Sequence, residues 1–114
     1  MNETQAMAVD LVLILHRGMN WDTWGTKRLA YWDILQEAVA ESAYVPTLAA
    51  WLNSICGRMD IRAAGRNSAD RARLEVILNS GQDAALLRVL RTETQFIILA
   101  ARVAVESQKE ARGA

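Results

Sequence analysis

The scarcity of helix-breaking residues is the feature that most constrains what this chain can fold into. Its 114 residues contain one proline and six glycines, and 52% of them are hydrophobic. This composition favours a few long elements and supplies enough apolar surface for the core of one domain. Apolar residues recur at steps of three and four, as in amphipathic helices. We therefore predict an all-α fold: a compact bundle of four to five helices with a long C-terminal helix, in one domain over residues 1–114.

Capping and breaking residues divide the chain into five predicted helices. Gly18 ends the first helix, and Leu29 and Trp32 belong to the buried stripe of the second. Pro46 breaks the second helix and suits the first turn of the third. The predicted helices cover residues 4–16, 26–43, 46 to between 57 and 64, 68–79 and 82–109.

Residues that could carry chemistry are sparse. With one histidine and one cysteine, the chain lacks the ligands for a Cys/His zinc site. His16 closes the first helix, where the helix dipole favours a cation, and Cys56 lies in an apolar stretch, so we interpret both as structural. The glycines do not form a phosphate-cradling cluster. We therefore predict no enzymatic activity, no cofactor, no metal and no small-molecule substrate.

The apolar runs are too short to cross a membrane. The run at residues 11–15 is bracketed by charged residues, and the run at residues 96–105 contains Arg102. The basic start and the cleavage site of a signal peptide are also missing. We expect a cytoplasmic protein without a membrane partner.

The distribution of charge is more informative than its total, which is zero. Residues 1–57 contain three basic and six acidic side chains, whereas residues 58–114 contain ten basic and seven acidic ones. Between residues 58 and 91 all seven basic residues are arginines. Guanidinium groups bind phosphates or carboxylates bidentately, so this segment suits a nucleic-acid backbone or the carboxylates of a neighbouring subunit. The alternative is a solvated face with local pairs such as Asp70–Arg73 and Arg71–Glu75.

Four tryptophans fall into two classes. Trp32 and Trp51 lie on apolar stripes and are predicted core residues. Trp21 and Trp24 flank a turn outside any stripe, so they stack on nucleic-acid bases, anchor in a partner's pocket or staple the loop onto the bundle. The predicted last helix carries a second apolar row beyond the one its own bundle needs, which another chain can cover. The candidate partner-interface residues are Trp21, Trp24, Phe96, Leu99 and Val103.

The stretch Asp83–Ala101, DAALLRVLRTETQFIILAA, resembles the last helix of the small helical subunits of CRISPR effector complexes. The similarity is greatest to the small subunit of the Cmr type and to the related subunits of type IV assemblies. The chain departs from that family at residues 102–106, where the family has an aromatic and basic cluster. The resemblance implies a non-catalytic subunit whose copies stack beside a guide–target duplex and contact one another, other protein subunits and phosphates.

The charge map assigns the phosphate contacts within such a role. We expect the RNA guide or the target strand to be contacted through Arg58, Arg62, Arg66, Arg88 and Arg91. The alternative hypothesis is a small helical adaptor or inhibitor, as a monomer or a homodimer, which sequesters a regulatory partner and does not bind nucleic acid.

Overall fold

Helices account for nearly all the regular structure. The computed structural model describes the backbone of residues 1–113 and the side chains of residues 1–110. No β-strand occurs in that range, and a single β-bridge joins Met19 to Ile61. The all-α prediction is confirmed. The α-helices are α1 (Glu3–Arg17), α2 (Tyr31–Ser42), α3 (Leu48–Met59), α4 (Ser68–Leu78), α5 (Asp83–Thr92) and α6 (Thr94–Gly113).

The first helix is the centre of the bundle. It begins with a capping box. The Asn2 side chain accepts a hydrogen bond from the backbone N–H of Gln5 at 2.8 Å, and the Gln5 side chain accepts one from the backbone N–H of Asn2 at 2.9 Å. It ends at Gly18, where an added Cβ would lie 2.9 Å from the carbonyl oxygen of Ala63, so only glycine allows this close approach. The helix packs against α4, α5 and α6. Its buried residues are Met7, Ala8, Val9, Leu11, Val12, Ile14 and Leu15.

The predicted last helix is two helices, which raises the count above the four to five that we predicted. Thr94 donates its hydroxyl to the carbonyl oxygens of Leu90 and Arg91, at 2.6 and 3.0 Å. Such bonds from a threonine back to the preceding turn compete with the helical ladder and bend the chain. Glu93 leaves helical geometry there (φ −119°, ψ 26°), and α6 starts at the next residue. The long C-terminal helix is therefore α6, with 20 residues.

The second helix starts later than predicted. Residues 21–30 form two short 3₁₀ segments, Trp21–Thr23 and Gly25–Ala30, and α2 begins only at Tyr31. A 3₁₀ turn has three residues instead of 3.6, so side chains leave the directions that an α-helical stripe assumes. Leu29 is consequently 98% exposed instead of buried, and Tyr31 takes the inward position.

The third helix begins at Leu48, two residues after the predicted Pro46. The hydroxyl of Thr47 caps it by accepting from the Ala50 amide at 3.1 Å. The Leu48 amide donates to the Asp83 side chain at 2.9 Å, which ties the starts of α3 and α5 together.

Two ion pairs hold α4 against α1 in an antiparallel arrangement. Arg17 binds Asp70 bidentately, with both N···O distances at 2.7 Å, and Arg73 donates to Asp10 at 2.9 Å. The predicted local pairs Asp70–Arg73 and Arg71–Glu75 do not form. Asp70 and Arg73 bind residues of α1 instead, and Arg71 and Glu75 lie beyond ion-pairing distance of each other. Asp70 is buried, and its hydrogen bond with Arg17 lowers the pKa of the carboxyl group.

Replacing Asp70 by asparagine is expected to lower the free energy of unfolding by about 1–3 kcal/mol, because it removes the charge that the Arg17 guanidinium binds. The folded-state pKa of Asp70 lies below its ordinary value of 3.8, so this stabilisation is complete at neutral pH. It is lost as the pH falls below 3.8 towards the folded-state pKa. Urea denaturation at several pH values measures both effects.

The matched control is Asp10→Asn, which breaks the second α1–α4 pair. Both partners of that pair are about 40% exposed, at 41% and 39%, so we expect a loss below about 1 kcal/mol. Equal losses for the two variants would contradict the greater importance of the Arg17–Asp70 pair.

Candidate functional site

Two of the five arginines predicted to contact phosphates hold the end of α2. Arg58 forms an ion pair with Glu41 in the last turn of that helix. The guanidinium carbon of Arg91 lies 5.4 Å from the centre of the Tyr44 ring, two residues past the helix end. The carbonyl end of a helix carries partial negative charge, which favours cations there. Both arginines thus have a role within the chain, although both stay partly exposed.

The other three arginines are exposed and weakly engaged. Arg62 lies 3.5 Å from Asp60, and an ion pair between exposed side chains contributes little. Arg66 and Arg88 are exposed, and no carboxylate among the side chains of residues 1–110 lies within ion-pairing distance of either. Their guanidinium groups are available for a phosphate or for a carboxylate of another chain.

The structure does not gather the five arginines into one cluster. Ala63, next to Arg62, packs against Gly18 at the end of α1. At the other end of that helix, Gln5 donates to Glu93 at 2.7 Å, two residues after Arg91. The helix rises about 20 Å between these two points. The arginines at residues 62 and 66 and those at residues 88 and 91 therefore lie towards opposite ends of α1.

Sequence reasoning missed a cationic pocket beside Arg58. The pocket has a volume of about 320 Å³ and forms where the end of α3 meets the 3₁₀ segment Gly25–Ala30. It combines two cations with one carboxylate over an apolar floor, which suits an anionic group attached to an apolar one. The two lining cations, Lys27 and Arg58, are 31 positions apart, so no local pattern in the sequence indicates the pocket. The lining residues are Thr23, Trp24, Lys27, Ile34, Arg58, Met59 and Asp60.

The tryptophans of the α1–α2 connection staple that connection onto the bundle. Trp24 is 8% exposed and packs edge-on against Tyr31, with ring centres 5.5 Å apart. Trp21 is half-buried, and its ring centre lies 4.6 Å from that of Tyr31. Trp24 is therefore a core residue and not the partner contact that we predict from the sequence, because its ring is already covered within the chain.

His16 lies inside the same aromatic cluster. Its ring stacks on Trp32 at 5.2 Å, and its Nδ1 lies 2.9 Å from the hydroxyl of Tyr31. Burial raises the pKa of Tyr31, so the hydroxyl keeps its proton and forms a hydrogen bond with the imidazole in which the tautomer of the ring sets the donor. Burial lowers the pKa of His16, and the charges of Lys109 and Arg17 lower it further.

An apolar row lies exposed on α6. Phe96, Leu99 and Val103 are 45, 59 and 56% exposed, at a spacing of three and four residues. The opposite side of the same helix is already packed into the core through Ile97, Ile98 and Ala101. The row, called the α6 apolar row below, is thus left over after the bundle has closed. Its predicted role as a partner interface stays a prediction.

Groups suited to covalent or metal chemistry are not assembled in the described part of the chain. Among residues with described positions, no three histidine, cysteine or carboxylate side chains cluster as a metal site. Burial raises the pKa of the Cys56 thiol, which keeps it protonated and a poor nucleophile. None of the described helices has the length and apolar character needed to cross a bilayer.

Comparison with models of known protein families, with curated proteins and with solved structures finds no match to this chain.

We expect an NMR titration to place the pKa of His16 below 6.5. Lys109→Gln is expected to raise this pKa but not to restore it to 6.5, because burial is the largest cause of the shift. The neutral ring is favoured in the folded state, so stability is lost as the pH falls from 6.5 towards the folded-state pKa. A control variant, Lys27→Gln, removes a cation that is not a cause of this shift. An equal rise of the pKa in both variants would contradict the assigned local effect of Lys109.

Proposed function

We propose that this chain is a non-catalytic small subunit of a CRISPR ribonucleoprotein effector complex, present in several copies and contacting the guide or target strand through phosphates. The observation that carries the proposal is the α6 apolar row, a helix face left exposed after the core has closed. The resemblance of residues 83–101 to small helical subunits of CRISPR effector complexes supports such a complex as the assembly.

An exposed row of large apolar side chains favours a protein partner. Monomeric proteins seldom leave contiguous apolar patches in water without a use for them. Burying such area contributes roughly 25 cal/mol per Å². The three side chains lie on two successive turns of one rigid helix, so a neighbouring subunit can cover them without rearranging the chain.

The exposed arginines support the nucleic-acid part of the proposal. Arg66 and Arg88 lack carboxylate partners among the described side chains. A phosphate that binds either guanidinium group therefore displaces water and breaks no ion pair. The net charge of zero argues for a weak contact by each copy. Several copies on one strand raise the total affinity without any new contact.

A second candidate function is favoured by the charges around the α6 apolar row. The clefts beside it are lined by Asp33, Glu37, Glu106 and Glu110, with Arg102 as the one cation. Carboxylates repel phosphates, so this face suits a protein and not a nucleic acid. The candidate is a helical adaptor or inhibitor, as a monomer or a homodimer, that sequesters a regulatory partner through the α6 face.

The nucleic-acid contact is tested with the double variant Arg88→Ala, Arg91→Ala. We expect binding of labelled single-stranded RNA, followed by fluorescence anisotropy, to weaken and to become less salt-dependent. Losing two phosphate contacts lowers the magnitude of the slope of log affinity against log salt by about 1.4–1.8.

The control variant Arg28→Ala, Lys109→Ala removes the same charge at residues that line none of the clefts beside the α6 apolar row, and it is expected to bind like the unmodified protein. Absence of RNA binding at low salt, or equal weakening by both double variants, would contradict the assigned contacts and favour the adaptor.

A further inference from the structure

A continuous groove runs between α2 and α6. One cleft lies between the middle of α2 and the α5–α6 junction, and a second lies between Trp32 and Leu99. The two clefts share Asp33, Gln36 and Gln95, so they form one depression. Leu99 and Arg102 connect it to a third cleft further along α6. We call these three clefts together the α2–α6 groove.

The groove combines an apolar centre with an acidic rim. Leu99 and Val103, both more than half exposed, supply the apolar part. Two carboxylates from α2 and two from α6 line the groove, against a single guanidinium. Lys109 offsets Glu106 only weakly, because they lie 4.0 Å apart and both are exposed. An occupant that fits is apolar in the middle and basic at its edges.

The same chain carries a surface of that description on and beside α4. Arg66 and Arg71 are exposed, and neither lies within ion-pairing distance of a carboxylate among the side chains of residues 1–110. Ala72 and Val76 lie one turn apart on the exposed side of the helix, and Val76 is 58% exposed. We call these four residues the α4 basic face; Glu75 is the one carboxylate beside them.

We propose that the α2–α6 groove binds the α4 basic face of a second copy of this chain. Charge complementarity carries the proposal, because the acidic groove meets arginines that have no carboxylate partner among the side chains of residues 1–110 of their own chain. The two surfaces share no residue, so the contact is heterologous and leaves one free groove and one free basic face on every pair. Copies then add head to tail.

This contact names the surfaces through which the copies of the proposed subunit stack, and in that respect it rests on the proposed function. It also divides the work among the arginines. Within a stack, Arg66 and Arg71 bind carboxylates of the next copy, so the phosphate contact proposed for Arg66 remains only at the end of a stack. Arg88, on α5, stays free for phosphate in every copy.

Sedimentation velocity of the unmodified protein tests the contact directly. At low salt we expect the average mass to rise with concentration past that of a dimer, without a plateau at two copies. Salt screens the attraction between exposed charges, and the Debye length falls to about 8 Å at physiological ionic strength. We therefore expect added salt to reduce the association. A monomer at every concentration and salt, or a dimer that does not grow, overturns the proposal.

Charge reversal on each surface identifies the contact. We expect Glu37→Arg with Glu106→Arg in the groove, and Arg66→Glu with Arg71→Glu on the α4 basic face, each to lower the association constant about tenfold or more. The control Glu3→Arg with Asp22→Arg makes the same charge change as the groove variant on exposed carboxylates outside the groove and leaves association intact. Thermal melts confirm that every variant is folded.

Mixing the two reversal variants is the decisive step. The groove variant keeps a native basic face and the α4 variant keeps a native groove, so the native contact remains between the two variants. The reversed groove and the reversed face also carry opposite charges, so the mixture is expected to recover the association that each variant lacks alone. A mixture that stays monomeric would contradict the proposal. If the α4 variant alone still dimerises, the groove pairs with itself and the proposal is wrong. RNA binding by the Arg88→Ala, Arg91→Ala variant is a separate measurement, so failure of the stacking contact is distinguishable from failure of the proposed function.

Discussion

The burial of α1 is the constraint on which the rest of the structure depends. About half of its 15 residues are buried apolar side chains, so the helix needs cover on most of its circumference. Helices α4, α5 and α6 provide that cover. Polar contacts then fix where each lies: the Arg17–Asp70 pair aligns α4, and the Gln5–Glu93 hydrogen bond aligns the α5–α6 junction.

Once the core is closed, the division of charge decides what remains available to other molecules. Arg17 and Arg73 are used between α1 and α4, and Arg58 and Arg91 engage the end of α2. Among the cations that remain, Arg66 and Arg71 lie on and beside α4 and Arg88 lies on α5, whereas four carboxylates line the α2–α6 groove, of which Glu106 has a weak partner in Lys109. A neutral molecule thus presents one acidic and one basic surface. Because of this asymmetry, contact between copies of the molecule is more favourable than its net charge of zero alone indicates.

Local signals in the sequence were sufficient for the helical class, the approximate helix positions and the surplus apolar row. They failed where a choice depended on distant residues. Leu29 fits a helical stripe by spacing, but Tyr31 takes the inward position among the rings of His16 on α1 and the tryptophans of the α1–α2 connection. Asp70 and Arg73 have an ideal local spacing, yet each binds a residue of α1 more than fifty positions away.

The candidate site was likewise predictable only where neighbouring residues of one helix determine it. Spacing alone identified Phe96, Leu99 and Val103 as one row, since a single helix determines it. The pocket containing Lys27 and the acidic groove each combine residues from separate elements, so no local pattern indicates them. The predicted arginine cluster divides because Arg62 and Arg91 lie towards opposite ends of α1, which their sequence positions do not reveal.

The most direct test of a molecule that acts through two complementary surfaces is a dilution series followed by amide NMR spectra at low salt. Head-to-tail stacking predicts that signals from residues 66–76 and from Leu99 to Glu110 shift together, with one shared midpoint. Shifts confined to one of these segments, or spectra that do not change with concentration, would contradict it.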